Sequence, residues 1–424
     1  MQTVSSETSL YFAGKENRIE FEAVISEPAY TPVKLNLYVM MWGGTTEIKK
    51  SLTPTQSGTD YKATFDINNV LSGELFTLVS QRVYAFPGDP DEPMIDRTDL
   101  MMLDFYLDWS YTYIDDNGDV YEAGRTDNAA GNKYKCIYGG ISRVMQYYLL
   151  GEELTFLSWL NNEDTALKFL SWIPNELPIH PSQPLRLWFY NDNKLDEVNL
   201  KLKAYFSDGT ESSIRSIRTL AVESGLIELA CGPLEMRVST IDITKTVSHY
   251  DVWLENSDGT IKTEVKTFAI DYTNYERNDV LFFRNSLGVN EVIWCHGRRS
   301  ESIKTTTEER TQPLADNLVG DGQIRSYRAT LEYPFEMNTG YFPKSMRHYL
   351  ADFLSAGEAK LPVKFFKLPV IVKPGEFDWG KDGEDLFSVS FKIQVAHIEN
   401  FYSPVPDVES PWGDFNNDFN EDFF

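Results

Sequence analysis

The sequence predicts a mainly β protein, built as two Ig-like or fibronectin-like β-sandwich domains followed by a β-barrel or sandwich domain with one packed helix. Three observations predict it. Apolar and polar residues alternate with period 2 from one end of the chain to the other. Asp-Gly turns follow alternating runs at 207–210 and 257–260. One segment late in the chain combines helical periodicity with both a start and a stop signal. At 424 residues the chain is too long for a single core, and about three domains is the natural expectation.

The first domain is expected over 1–150. Ile19, Phe21, Ala23 and Ile25 alternate with Glu20 and Glu22, and Val33, Leu35, Leu37 and Val39 alternate with Lys34, Asn36 and Tyr38. The pattern repeats over 61–67. Each run is a strand with one buried face. The Pro-rich stretch 87–93 is a loop, and 115–119 joins two Tyr-bearing strands. Short helices are expected over 142–150 and near 153–159.

The second domain is expected over 151–271, after Pro178, Pro181 and Pro184. Val198, Leu200, Leu202, Ala204 and Phe206 make one face of a strand ending in Ser207-Asp208-Gly209-Thr210, and the same tetrapeptide returns at 257–260. The third domain is expected over 272–402. It opens with a hairpin of strands at 280–283 and 291–295, turning over Asn285, Ser286 and Gly288. A strand over 327–333 follows, then a helix over 344–355 between Pro343 and Gly357, then strands around 363–372 and 387–395.

Composition narrows the function. A hydrophobic fraction of 42% excludes wholesale disorder. The net charge of −25 disfavours nucleic acid as a direct ligand, because neutralising phosphates needs a dense basic face. It fits a surface along which DNA slides without sticking, and equally fits plain solubility. Cys136, Cys231 and Cys295 have no partners at metal-ligand spacing and read as reduced, buried thiols. The first eight residues carry neither the basic nor the apolar region of a signal peptide, so export by that route is not expected. No apolar run approaches the roughly 20 residues of a membrane span.

No catalytic, cofactor-binding or metal-binding residue is assigned, and no cofactor is expected. Asp115, Asn117, Asp119 and Glu122 lack the glycine and bidentate glutamate positions of a calcium loop and read as a turn. Cys295 and His296 are neighbours on a strand, so they face opposite ways and make no nucleophile–base pair. His180, His249, His348 and His397 share no ligand spacing. Gly139-Gly140 is a turn rather than a phosphate loop, and pairs such as Glu152-Glu153 or Asp378 with Asp382 arise by chance among 64 acids. Trp42 and Trp109 are core or interface aromatics, with a sugar platform as the alternative.

Two segments read as contacts. The polar, strand-capable stretch 300–312 is either an exposed loop or an arm lying across a neighbour, and the arm is favoured. Its interface candidates are Thr305, Thr306, Thr307 and Arg310. The acidic segment 403–424 carries Trp412, Phe415, Phe419 and Phe423 as the others. Its Asn, Asp and Gly are poor helix formers, so it needs something to hold it. A neighbouring chain is expected, with its own domain as the alternative.

The wording of several segments then matters. Phe282-Phe283-Arg284-Asn285-Ser286-Leu287-Gly288, followed by Gly297-Arg298-Arg299-Ser300-Glu301, resembles tail proteins of phages and prophages of gut Bacteroidetes. Also similar are Tyr138-Gly139-Gly140-Ile141-Ser142, the Pro-rich entry 172–184, Asp208-Gly209-Thr210, Tyr250-Asp251-Val252-Trp253 and Asp385-Leu386-Phe387-Ser388. The resemblance covers about 133–396 and leaves out the first sandwich and the tail. It implies a non-enzymatic structural subunit of a tail or baseplate, similar to distal-tail or hub proteins, forming a homo-oligomeric ring around the DNA channel. Its implied partners are copies of itself and other virion tail proteins, with no sequence-specific nucleic-acid binding and no membrane. Its implied place is the virion, after assembly in the host cytoplasm. The alternatives are a carbohydrate-binding surface or adhesion module and, second, a glycoside hydrolase.

Overall fold

The structure, a computed structural model, describes residues 2–3, 10–14, 19–26, 28–41, 47–82, 94–97, 101–124, 134–161, 166–192, 194–221, 224–311, 324–363, 366–373 and 385–396. They divide into two compact units that interleave along the chain. The first is drawn from 1–171, 186–267 and 286–289, the second from 172–185, 268–285 and 290–424. Both are mainly β, as the alternation predicts.

The first unit begins with β1 (Gln2–Thr3), β2 (Leu10–Phe12), β3 (Ile19–Ser26), β4 (Pro32–Met41), β5 (Glu47–Leu52), β6 (Thr55–Ser57) and β7 (Asp60–Asp66). Helix α1 (Asn68–Arg82) follows, then β8 (Met94–Asp96), β9 (Met102–Ile114), β10 (Val120–Ala123) and β11 (Tyr134–Ile137). One sheet runs β1-β3-β7-β6 and another β2-β11-β9-β4-β5, with β10 paired to the far end of β9. Ala23 and Ile25, Leu35, Leu37 and Val39, Ala63 and Phe65, and Phe105 and Leu107 share one core. These are the alternate positions of their strands, so period 2 decides which face is buried. Helix α1 was not foreseen in the sequence. Ile67, Leu71 and Leu75, four residues apart, dock it on the same core, and that spacing was its available signal.

Helices α2 (Arg143–Gly151) and α3 (Phe156–Leu160) follow. The Ser142 hydroxyl caps α2 by accepting from the Met145 N–H at 3.2 Å. A reciprocal Thr155–Ser158 box starts α3, so the second short helix begins later than the sequence spacing indicates. Then come β12 (Leu177–Ile179), β13 (Arg186–Asp192), β14 (Val198–Phe206), β15 (Arg215–Leu220), β16 (Ser224–Ala230), β17 (Val247–Glu255) and β18 (Lys266–Ile270). Within the first unit, β14 lies between β15 and β17, antiparallel to both. Strand β16 lies between β13 and β8, so a strand from early in the chain completes this second sheet. At the two Asp-Gly turns Gly209 and Gly259 have φ of +81° and +79°, the conformation that such turns demand of glycine.

The second unit pairs β12 in parallel with the end of β18, Leu177 opposite Phe268. Its main strands are β19 (Asp279–Arg284), β20 (Asn290–Cys295), β21 (Arg299–Glu301), β22 (Lys304–Thr311), β23 (Ile324–Glu332), β24 (Pro334–Asn338), β25 (Phe342–Pro343), β26 (Glu358–Val363), β27 (Phe366–Lys373), β28 (Leu386–Phe387) and β29 (Ser390–Val395). Helix α4 (Arg347–Ser355) continues a 3-10 turn at Lys344–Met346, so the expected helix is present with a tighter first turn. It packs on the sheet through Phe353, whose ring meets Phe283 at 5.2 Å and Phe391 at 5.1 Å edge-on, and through the Tyr349 hydroxyl donating to the Val292 carbonyl at 2.6 Å.

The sheet order β20-β19-β26-β27-β29-β24-β21 corrects one expectation: among the described residues it is open, not a closed barrel. Closure would need β21 to meet β20. Instead β21 is three residues long, and the chain leaves it through Ser302 and Ile303 into β22.

Candidate functional site

One exposed feature is an arm made by continuing the edge of that sheet. Strands β21 and β24 pair at the edge, and among the described residues their continuations β22 and β23 pair only with each other. Ser302 clamps the joint, its N–H and its hydroxyl both donating to the Pro334 carbonyl at 3.1 Å. Below it Arg299, with its side chain 2% exposed, reaches Asp279 at 3.1 Å and Glu301 at 2.6 Å and lies over the Phe335 ring. The arm is therefore anchored by a buried ion pair and extends about 26 Å for eight residues at ~3.3 Å each.

All eight residues of β22 are exposed. Thr305, Thr306, Thr307 and Arg310, the interface candidates of the sequence, all lie on it. They pair with Leu331, Thr330, Ala329 and Arg325 of β23. The stretch is an exposed strand, and the strand expected over 327–333 is its pairing partner, a pairing that the sequence does not show. The register shifts between Glu308 and Glu309, so regular pairing covers 304–308. Lys304 meets Glu332 at 3.2 Å, and a hydrogen bond from Tyr327 to Glu308 raises the Tyr327 phenol above its ordinary range. Trp412, Phe415, Phe419 and Phe423 lie outside the described residues.

A second exposed feature is the tip of the β9–β10 hairpin. The rings of Tyr30 and Tyr113 stack at 4.4 Å and 5°, and Tyr121 continues the stack at 5.7 Å and 24°. Tyr30 and Tyr121 are each 45% exposed. The turn beyond is held by Asp115, whose Oδ1 accepts from the N–H of Asn117 and of Asp119, both at 2.9 Å. These bonds spend the carboxylate on the turn.

On the other face Glu122 gathers a polar cluster. Tyr38 and Ser110 donate to its Oε1, Asn36 Nδ2 lies 3.3 Å from the same atom, and Lys49 Nζ lies 3.1 Å from Oε2. Burial works to raise the Glu122 carboxyl, but the hydroxyls of Ser110 and Tyr38 and the Lys49 ammonium outweigh it and lower it to about 2. A carboxyl lowered on folding stabilises the fold above its ordinary value, and the contribution vanishes as pH falls from about 4.5 to about 2. Glu122→Gln is therefore expected to lower the thermal midpoint at pH 7, with the gap to the parent closing across that window. Thermal melts at stepped pH measure it, and a gap independent of pH would contradict the assignment.

The remaining sequence candidates are dispersed. Cys136, Cys231 and Cys295 are buried, and burial pushes all three thiols up. His296 turns away from the buried Cys295 and packs on the Tyr275 ring at 4.1 Å. His180 stacks on Trp294 and His249 on Tyr205, while His397, Trp42, Asp378 and Asp382 lie outside the described residues. Trp109 is partly buried and packs against the first core. Gly139 and Gly140 form a close contact with the 286–289 turn, the Gly140 N–H donating to the Ser286 carbonyl at 2.6 Å. Among the described residues no helix is long and apolar enough to cross a membrane. In comparison with known proteins, the chain matches no family model and no curated protein.

Proposed function

We propose that this chain is a non-enzymatic structural subunit of a phage tail or baseplate, assembling with copies of itself into a ring through which DNA passes. The observation that carries the reading is the arm. Two-stranded ribbons are marginal by themselves in water, so a solvated ribbon held at its base by a buried arginine is a device for reaching another molecule. The net charge of −25 supports a lumen that repels DNA phosphates, and the sequence resemblance supports the tail setting. Neighbouring virion proteins would cover other faces.

The test is the solution mass of the intact chain and of a variant in which a short turn replaces 304–332. The intact chain is expected to assemble, with rings visible in electron micrographs. The armless variant is expected to keep its circular dichroism and thermal midpoint but to form smaller assemblies than the intact chain. A monodisperse monomer at high concentration, alone and with adjacent virion proteins, would overturn the reading.

The exposed Tyr30–Tyr113–Tyr121 stack favours a second reading, a carbohydrate-binding surface module, since planar aromatic faces pack on sugar rings. Specific binding on a glycan array that disappears in Tyr30→Ala would favour this reading over the first.

A further inference from the structure

The outer edge of β22 pairs with no described strand, and its sequence is complementary to itself. We infer that two copies of this chain join edge to edge through antiparallel pairing of β22 with β22 of a second copy, the two-fold axis passing at Thr306. The inference rests on the self-assembly proposed above and specifies one contact in it.

The register follows from geometry and charge. Residues directly opposite in a sheet point to the same face, while neighbours along a strand point to opposite faces. A two-fold antiparallel pair must therefore set some residue against its own copy. Regular pairing ends after Glu308, which leaves five choices of axis over 304–308. An axis at Lys304 or Glu308 sets like charges opposite each other. An axis at Thr307 sets Lys304 against Arg310, and one at Thr305 sets Lys304 against Thr306. The axis at Thr306 alone sets Lys304 against Glu308, twice.

Within one arm Lys304 already lies opposite Glu332, and Glu308 opposite Arg328. The joined arms would therefore carry a row Glu332, Lys304, Glu308, Arg328 across four strands, alternating in sign throughout, and its symmetry mate. Between them runs a row of four threonines, Thr330, Thr306, Thr306 and Thr330. On the opposite face Leu331 and Thr305 of one arm adjoin Thr307 and Ala329 of the other. Opposite charges and threonine pairs are both favourable cross-strand neighbours. The contact is isologous and closes on itself, so it would join subunits in pairs, a different symmetry from that of a ring's repeating contact.

Charge reversal tests this in the full-length protein. Lys304→Glu sets Glu against Glu in both rows, and Glu308→Lys sets Lys against Lys. Each variant alone is expected to self-associate about tenfold more weakly through this contact. Mixed one to one, they restore opposite charges in both rows and are expected to form heterodimers, read by native mass spectrometry. The effect of each change inside its own arm is the same in both settings and cancels.

Cysteine scanning reads the register directly, because the native thiols are buried. Thr306→Cys is expected to give a disulfide-linked dimer on mild oxidation. Thr305→Cys and Thr307→Cys are expected to cross-link with each other and not with themselves. Assembly without preferential Thr306→Cys cross-linking, or without rescue in the mixture, would overturn this contact and leave the structural-subunit reading standing. A chain that neither assembles nor cross-links would overturn both.

Discussion

Gly288→Ala is expected to cost about 3–5 kcal/mol of stability, a large share of the ~5–15 kcal/mol that a folded domain has. Gly288 has φ of +89°, and a Cβ there would lie 1.8 Å from the Tyr138 carbonyl oxygen and 2.7 Å from its carbon. The obstacle is backbone, so no rotamer change relieves it. Retreat is blocked from the other side, since a Cβ on Gly139 would lie 2.6 Å from the Leu287 carbonyl carbon. Gly14 completes the contact, its Cβ position being 2.5 Å from the Gly139 oxygen. Three chain segments thus meet at bare backbone, and any added methyl must push them apart. Gly209→Ala is the control. Its φ is also positive, at +81°, but nothing lies within 4 Å of the added atom, so only the ~1 kcal/mol backbone cost remains. Urea unfolding of the two variants separates clash from conformational strain. Equal losses would mean that the close contact contributes nothing.

That contact also marks where sequence reading stops. Tyr138-Gly139-Gly140 and Ser286-Leu287-Gly288 are each distinctive as wording, and each reads as a local turn. Nothing in either segment says that it lies against the other, since glycine close packing leaves no periodic trace. The strands were legible because alternation such as that of Val198, Leu200 and Leu202 depends only on one buried face. The arm was legible on one side, through its threonines and charges. Its partner β23 was foreseen as a strand but not as the ribbon's other half, because pairing across the intervening residues is a tertiary choice. Helix α1 carries no alternation, and its trace is the four-residue step of Ile67, Leu71 and Leu75.

The buried charges of the second sheet were wholly silent in the sequence, and they carry the other large effect. Arg186→Met is expected to destabilise the protein by about 3–5 kcal/mol. Arg186 is 3% exposed at the start of β13, with Nε 3.0 Å from Glu228 Oε1 on β16 and Nη1 2.5 Å from Glu235 Oε1. Arg97, just after β8, binds the other Glu228 oxygen at 2.8 Å, and the Gly232 N–H donates to the other Glu235 oxygen at 3.0 Å. Two positive and two negative charges therefore balance inside one layer and tie three strands and a turn together. Removing Arg186 leaves two carboxylates facing one arginine away from water. The cost comes from that imbalance more than from the lost attraction, because a complete buried ion pair is worth little against an apolar replacement. Arg186→Met combined with Glu235→Gln removes one charge of each sign, leaving Arg97 with Glu228. The double variant is expected to recover more than half of the loss, giving a coupling energy of roughly 2 kcal/mol in a double-mutant cycle. Losses that simply add would show that Arg186 acts by packing its stem, and that charge balance is not what holds β8 to this sheet.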